Sequence, residues 1–174
     1  EEVVVSASKS ASALQKTAAA INKVSYQTLQ QKKPQFIGEV LNQTAGVHMT
    51  NLGNEQHNMS IRQPLSYNAV YLYMEDGVPI RPVGLFNHNA LYEINLAGSN
   101  DIEVLKGPAS ALYGSNAVGG AVNFNSQAPS PTLEGLIGVQ SADAGHLRRI
   151  DYALSDSNQE GTTGVRLSGY SSRR

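Results

Sequence analysis

Few residues in this sequence have the types and spacing that catalysis or metal binding requires. The four histidines, His48, His57, His88 and His146, form no short metal-binding pair such as His-x-Glu or H-E-x-x-H. The adjacent carboxylates at positions 75–76 precede Gly-Val-Pro, which predicts a turn rather than an acid–base pair. The chain has no cysteine, so disulfides and thiolate metal ligands are excluded. We therefore predict no catalytic site, no metal site and no cofactor.

The glycine-rich stretch at residues 107–124, GPASALYGSNAVGGAVNF, could be a phosphate-binding loop. Such a loop needs Gly-x-x-x-x-Gly-Lys-Ser/Thr, but here Ser115 follows Gly114 with no lysine between them. The dinucleotide pattern G-x-G-x-x-G and the nucleophile pattern G-x-S-x-G are also absent. The stretch instead predicts a short helix that starts at Pro108 and ends at Gly114, followed by close backbone packing at Gly119-Gly120.

Composition narrows the possible partners. The chain has 174 residues with 13 basic and 14 acidic side chains, a net charge of −1 and a pI of about 6.5. Without a basic excess or a block of like charges, it is not expected to bind nucleic acid. No apolar run approaches the roughly 20 residues of a membrane helix. No secretory signal is visible at Glu1, so it was removed or the sequence starts after it.

The residue composition and hydrophobic pattern change twice along the chain, which predicts three regions. Residues 1–20 are small and polar after one valine triplet, and are expected to form a flexible leader with weak helical potential. Residues 21–128 have the pattern of a compact α+β domain. In it, a helix is expected from Pro34 to Gly46, a short helix near Leu91 and Ile94, and strands at 58–62, 69–74, 102–105 and 121–124. Residues 129–174 begin with a linker.

Three strand-like runs follow that linker, at residues 133–141, 147–155 and 163–171. In the second run Ile150, Tyr152 and Leu154 alternate with less apolar residues. Each run has about the 9–11 residues that a membrane-spanning β-strand needs. The same alternation is expected of an ordinary half-buried antiparallel sheet, which is the simpler interpretation of this pattern alone, and both interpretations stay open.

Residues 101–124, DIEVLK followed by the glycine-rich stretch, resemble the plug-domain signature of TonB-dependent outer-membrane receptors. Further similarities lie upstream in the same order. VYLYMEDGVP at residues 70–79 is similar to the family's strand and DGVP turn. Ser60-Ile61-Arg62 is similar to SIRG, with Gln63 in place of glycine, and EVLNQTAGV at 39–47 is similar to the helix before PGV, with Ala45 in place of proline. EVVVSA at residues 2–7 resembles the TonB box.

The resemblance implies an α+β plug with a small mixed sheet and short helices, then antiparallel strands that begin a barrel of about 22 strands. It implies TonB-energised uptake of a scarce nutrient, a ferric siderophore or else cobalamin, haem or an oligosaccharide. The receptor would lie in the outer membrane of a Gram-negative bacterium, with the leader facing periplasmic TonB, and would not be an enzyme. The alternative is a soluble α+β periplasmic hydrolase or a binding module that reuses the plug fold.

The resemblance also assigns candidate site residues. The TonB box would comprise Glu2, Val3, Val4, Val5, Ser6 and Ala7. Candidate substrate contacts in polar loops are His57, Arg81, Phe86 and His88, and candidate plug–barrel locking residues are Arg62 and Lys106. Simpler interpretations stay open: the valine triplet could start the domain's first strand, the histidines could be solvated loop residues, and the two cations could be ordinary surface charges.

Overall fold

The computed structural model describes residues 3–4, 8–53, 56–65, 70–80, 94–142 and 147–173. The chain divides into two units, Glu1–Ile94 with Asn100–Asn125, and Asn95–Ser99 with Ser126–Arg174. The strands of the first unit are β1 (Val3–Val4), β2 (Ser12–Ala13), β3 (Ile21–Ser25), β4 (Val47–Gly53), β5 (Gln56–Ile61), β6 (Tyr71–Glu75), β7 (Val78–Pro79), β8 (Ser99–Lys106) and β9 (Gly120–Ser126). Its helices are α1 (Tyr26–Lys32), α2 (Gly38–Leu41) and α3 (Ser110–Tyr113), with a 3-10 turn at Leu14–Lys16.

A five-stranded mixed sheet forms the centre of the first unit, in the order β3-β8-β9-β6-β7. β3 pairs antiparallel with β8, and β6 pairs parallel with β9. The inner strands β8 and β9 are buried along almost their whole length, and Ile102, Val104 and Phe124 are fully inaccessible. Strands buried on both faces need covering layers on both sides, and these layers come from the rest of the unit.

One covering layer meets the sheet at a cluster that includes Ile21, Leu72, Leu105 and Ala121. The registers Ile21↔Leu105 and Leu72↔Ala121 place these side chains on a common face. Ala109 and Ala117, from the segment around α3, and Val4 of β1 complete the cluster. The leader strand is therefore part of the core of this unit.

The first two helices, α1 and α2, differ from the helices that the sequence predicts. Residues Tyr26–Lys32 form α1, which was not expected because only Leu29 of this helix is buried. Its start is nevertheless encoded locally, since the Ser25 hydroxyl accepts from the Thr28 amide at 3.3 Å. The helix expected from Pro34 is shorter than predicted and spans Gly38–Leu41. Ile94 is buried and lies outside any helix, and Leu91 lies outside the described residues.

The glycine-rich stretch packs as a structural element. α3 begins at Ser110, two residues after Pro108, and ends at Tyr113, where Gly114 with a φ of 91° caps it. Gly120 opens β9 with a φ of 153°, and a Cβ at this position would overlap the carbonyl oxygen of Leu105. The prediction of close backbone packing at this point is correct, because the sheet leaves no room for a side chain there.

The second unit contains an antiparallel sheet of β10 (Glu134–Ala142), β11 (Leu147–Ser157) and β12 (Gly164–Arg173), with a 3-10 turn at Leu96–Gly98. The three predicted runs are therefore strands. Leu154 pairs with Leu167 and Tyr152 with Ile137, so these side chains share one face. The apolar side chains of this face are largely exposed in the chain: Ile137, Val139, Ile150, Tyr152, Leu154, Val165 and Leu167.

Replacing Gly120 by alanine should destabilise the chain far more than replacing Gly114. Both substitutions place a side chain at positive φ, which costs about 1–2 kcal/mol. Gly114→Ala meets no atom within 4 Å, whereas Gly120→Ala overlaps backbone, so a total loss of at least ~3 kcal/mol is expected there. Urea unfolding of both variants measures the difference. Equal losses would mean that β8 does not lie against Gly120.

Candidate functional site

The described part of the leader packs onto the first unit. β1 pairs antiparallel with β2, in the register Val3↔Ala13 and Val4↔Ser12. Val4 is fully buried, while Val3 is 43% exposed. Val3 and Val4 thus form a strand, and Val4 lies in the apolar cluster that covers the sheet, where the sequence favoured a flexible leader. Glu2, Val5, Ser6 and Ala7 lie outside the described residues.

Lys23 fastens this leader strand to the sheet. Its Nζ donates to the backbone carbonyl of Val3 at 2.8 Å and pairs with Asp101 Oδ2 at 3.1 Å. The side chains of Lys23 and Asp101 are only 16% and 5% exposed. One ammonium thus contacts both the leader backbone and a buried carboxylate, and a lysine has three donors with which to do so.

Asp101 is one end of a chain of hydrogen-bonded polar side chains along β8 and β9, in which Asp101, Glu103 and Asn123 are buried. Asn125 Nδ2 donates to Asp101 Oδ1 at 2.6 Å and to Glu103 Oε1 at 3.2 Å. Asn123 Nδ2 in turn donates to Asn125 Oδ1 at 2.7 Å, and Asn123 Oδ1 accepts from the Gly77 amide at 2.8 Å. Hydrogen bonding of this kind is what allows polar groups to be buried in a protein core.

Sequence reasoning missed Lys23, Asp101, Asn123 and Asn125. A signal for the last three was present: Asp101-x-Glu103 and Asn123-x-Asn125 place polar residues two apart in apolar strands. Residues i and i+2 of a strand share a face, so both pairs predict a polar patch on one side of the sheet. The contact between Lys23 and Val3, 20 residues apart, has no comparable local signal.

The structure brings the two locking candidates close together. The amide of Arg62, whose φ is 53°, donates to the Gly46 carbonyl at 2.7 Å, and Lys106 Nζ donates to the Ala45 carbonyl at 3.2 Å. Burial, and secondly the Arg62 charge, lower the pKa of Lys106. Within the part of the chain that the structure describes, neither cation has an acidic partner at ion-pair distance. Arg62 and Lys106 could therefore pair with an acidic side chain outside the described residues.

His57 does not lie in a solvated loop. It belongs to β5, which pairs with β4 through Asn51↔His57 and Thr50↔Asn58, so the expected polar loop is a hairpin. The His57 side chain is 1% exposed, and its Nε2 lies 2.8 Å from the hydroxyl of Tyr73. Burial raises the pKa of Tyr73, and the electrostatic effect of Tyr71 raises it further. The Tyr73 hydroxyl therefore stays protonated. Arg81, Phe86 and His88 lie outside the described residues.

None of the helices in the described part of the chain is both long and apolar enough to cross a membrane. The same residues contain no cluster of three or more histidine, aspartate and glutamate side chains that could hold a metal ion.

A family model described as TonB-dependent Receptor Plug Domain matches residues 13–121. The chain belongs to this family. Because the family consists of receptors and transporters, the chain is not an enzyme, and the hydrolase interpretation is wrong. The region that the family model matches contains the central sheet from β3 through the start of β9, together with α1 to α3.

The relatives of this plug are outer-membrane receptors. Over 127 residues the chain is 30% identical to the vitamin B12 transporter BtuB of Vibrio vulnificus, which covers 71% of this chain and 20% of the transporter. Over 59 residues it is 44% identical to the ferric enterobactin receptor PirA of Pseudomonas aeruginosa, covering 31% of this chain and 8% of the receptor. The chain therefore spans about a fifth or less of the length of these relatives.

Solved structures show the same fold. The ferripyoverdine receptor of Pseudomonas aeruginosa matches with a TM-score of 0.77 and 18% identity, over 97% of this chain and 22% of the receptor. The alcaligin receptor FauA from Bordetella pertussis matches with a TM-score of 0.77 and 18% identity, over 98% and 29%. The mixed α+β unit followed by antiparallel strands is therefore the arrangement found in TonB-dependent receptors.

Replacing His57 should destabilise the plug, while replacing His48 on the same hairpin should not. His57→Gln removes a buried ring and its 2.8 Å contact with the Tyr73 hydroxyl, which is left with its longer contact to Met59 Sδ, at a cost of about 1–3 kcal/mol. His48 is exposed, so His48→Gln should change the free energy of unfolding by less than about 0.5 kcal/mol. Urea unfolding of both variants tests this, and equal effects would remove the structural role assigned to His57.

Proposed function

We propose that this chain forms the plug and first barrel strands of a receptor that imports a ferric siderophore across the outer membrane of a Gram-negative bacterium. Transport would be energised by TonB, which grips the leader from the periplasm. The observation that carries the proposal is the succession of a plug-family domain and a strand sheet with one exposed apolar face. Similar solved structures include receptors for ferripyoverdine, ferric yersiniabactin and alcaligin, which favours a siderophore over cobalamin.

The second unit supports an outer-membrane position. Its strands have 9, 11 and 10 residues, the length that a tilted membrane-spanning strand requires. One face carries the exposed apolar side chains. Arg148 and Arg173 lie opposite each other in the strand register at one end of this face, and Asp156 lies at the other end. The opposite face is polar: Arg149 pairs with Asp151 at 2.7 Å and its guanidinium lies 4.3 Å from the Tyr170 ring centre. Apolar-out, polar-in alternation is typical of barrel strands in lipid.

The ligand would meet the outer end of the plug. Arg81, Phe86 and His88 remain our proposed contacts there. His57 is buried against Tyr73, so any influence it has on ligand binding would come through the position of β5 rather than through direct contact.

Energised transport should depend on the backbone of the leader strand. A partner that adds a strand recognises main-chain N–H and C=O groups. Val3→Pro removes one donor and constrains φ, whereas Val3→Ala keeps the backbone and trims a side chain that is already 43% exposed. We expect Val3→Pro to lower uptake to the level of a strain without TonB, and Val3→Ala to stay near wild type. Both should bind ferric siderophore normally.

Uptake by the Val3→Pro and Val3→Ala receptors is measured in whole cells with a radiolabelled iron–siderophore complex. Wild-type uptake by Val3→Pro would show that the leader strand is not the TonB contact. Loss of ligand binding in Val3→Pro would show that the substitution disrupts the plug itself, and would contradict the assignment of the leader as the TonB contact.

Arg62 and Lys106 should hold the plug in the barrel by pairing with acidic side chains of the barrel wall. The lumen of such a barrel is polar, and a buried charge needs a partner. The double variant Arg62→Ala/Lys106→Ala should let small solutes leak through the complete receptor in liposomes, while Lys16→Ala, which removes an exposed lysine, should not. A tight double variant of unchanged stability would leave both cations as surface charges.

A further inference from the structure

The exposed face of the three-stranded sheet is polar and basic at one end and apolar along most of its length. The strand registers align Ser141 of β10, Arg148 of β11 and Arg173 of β12 in one row across this face, which we call the basic row. All three side chains are exposed. The rows that follow contain the exposed apolar side chains of this face, and Asp156 lies beyond them at the opposite end.

The two arginines of the basic row form a like-charge pair on neighbouring strands. Residues directly opposite each other in an antiparallel pair have Cβ atoms about 4.5–5.5 Å apart, and like charges in such a pair destabilise the sheet. Among the described residues no carboxylate lies within ion-pair distance of either guanidinium. The next carboxylate along β11, Asp151, pairs with Arg149 on the opposite face. An anion between Arg148 and Arg173 would replace their repulsion by two attractions.

The spacing of the charged ends matches the thickness of a membrane. From Arg148 to Asp156 the strand rises about 26 Å, at roughly 3.3 Å per residue. A tilt of about 40°, typical of barrel strands, shortens this distance to about 20 Å across the bilayer, where the outward apolar band of a barrel is about 25 Å tall. The basic row therefore falls at one boundary of the apolar band, where lipid headgroups lie.

The chemistry of the basic row favours phosphate as the anion. A guanidinium presents a planar fork of N–H donors that matches two phosphate oxygens, and the Ser141 hydroxyl at the end of the row can donate as well. The apolar rows start directly beside the basic row, with Val139 and Ile150. A lipid with an anionic phosphate would contact both parts of the face, whereas a soluble anion would contact the basic row alone.

We propose that the basic row binds the phosphate of an anionic membrane lipid whose acyl chains lie along the apolar rows. The bound phosphate bridges β11 and β12 and removes the cost of placing Arg148 opposite Arg173. The proposal rests on the proposed function in one respect, since it takes the apolar face to lie in the membrane.

A fluorophore beside the basic row measures which lipid lies there. Ser171 is exposed on the same face, two residues before Arg173, and the chain has no cysteine. Ser171→Cys in the intact receptor is labelled with bimane, after any cysteine elsewhere is replaced by serine, and the receptor is reconstituted in phosphatidylcholine vesicles. Spin-labelled phosphatidic acid and spin-labelled phosphatidylcholine, with the same acyl chains, are then compared as quenchers at equal mole fraction.

Phosphatidic acid should be the preferred lipid at this position. Each arginine near a membrane surface adds roughly fivefold to the binding of an anionic lipid, so we expect a preference of about five- to thirtyfold over phosphatidylcholine. The double variant Arg148→Gln/Arg173→Gln should reduce it to about one. Lys16→Gln/Lys32→Gln removes the same charge from exposed lysines of the first unit and should keep the parent preference.

A second variant tests the basic row with both arginines in place. Ser141→Asp puts a carboxylate directly opposite Arg148 in the register, so it should compete with the lipid phosphate and lower the preference at least several-fold. A folding defect in the double arginine variant therefore leaves Ser141→Asp to decide. The parent preference in either of these variants would overturn the proposal.

The remaining outcomes separate the lipid site from the proposed function. Equal quenching by the two lipids in the parent receptor would overturn the lipid site and leave the membrane position standing. Absence of quenching by both would contradict the membrane position and the lipid site together. Inorganic phosphate at the same bulk concentration as phosphatidic acid should not displace the lipid, because it has no acyl chains. Displacement would assign the arginines to a soluble anion and overturn the proposal.

Discussion

Both faces of the central sheet of the plug must be shielded from water, and the rest of the structure depends on the layers that cover them. β8 and β9 are buried on both sides, so no face can be left to water within the first unit. One covering layer includes Val4, which belongs to the leader. The segment proposed to be pulled by a partner is therefore also part of the core, and its burial sets a free-energy difference between closed and open states.

The same face of the sheet combines an apolar end with a polar end. The apolar end is closed by leader residues and by small side chains around α3, where Gly120 lies against β8. The polar end contains Asp101, Glu103 and Asn123, each at most 3% exposed. Buried polar groups often stabilise a core less than well-packed apolar groups of similar volume would. Their hydrogen bonds can also rearrange, which would suit the transport function proposed above.

Local patterns predicted local features well. The turn after β6, the helix end at Gly114 and the three alternating strands follow from glycine conformation and period-two hydrophobicity, and the plug motifs led to the correct family. The errors concern contacts between distant residues. The valine triplet looks mobile because its neighbours are small and polar, and His57 looks solvated because residues 50–58 are polar. The burial of Val4 and of His57 depends on β8, β9 and Tyr73, which lie far from them in the sequence.

In the ligand-free receptor the leader strand should lie in the plug core, and methyl NMR detects that placement directly. With valine, leucine and alanine methyl groups labelled in the ligand-free receptor, we predict NOEs from Val4 to methyl groups of the cluster that contains Leu72, Leu105 and Ala121. Their chemical shifts should also depart from random-coil values. Sharp Val4 methyl signals at random-coil shifts, with no NOE to that cluster, would contradict the account.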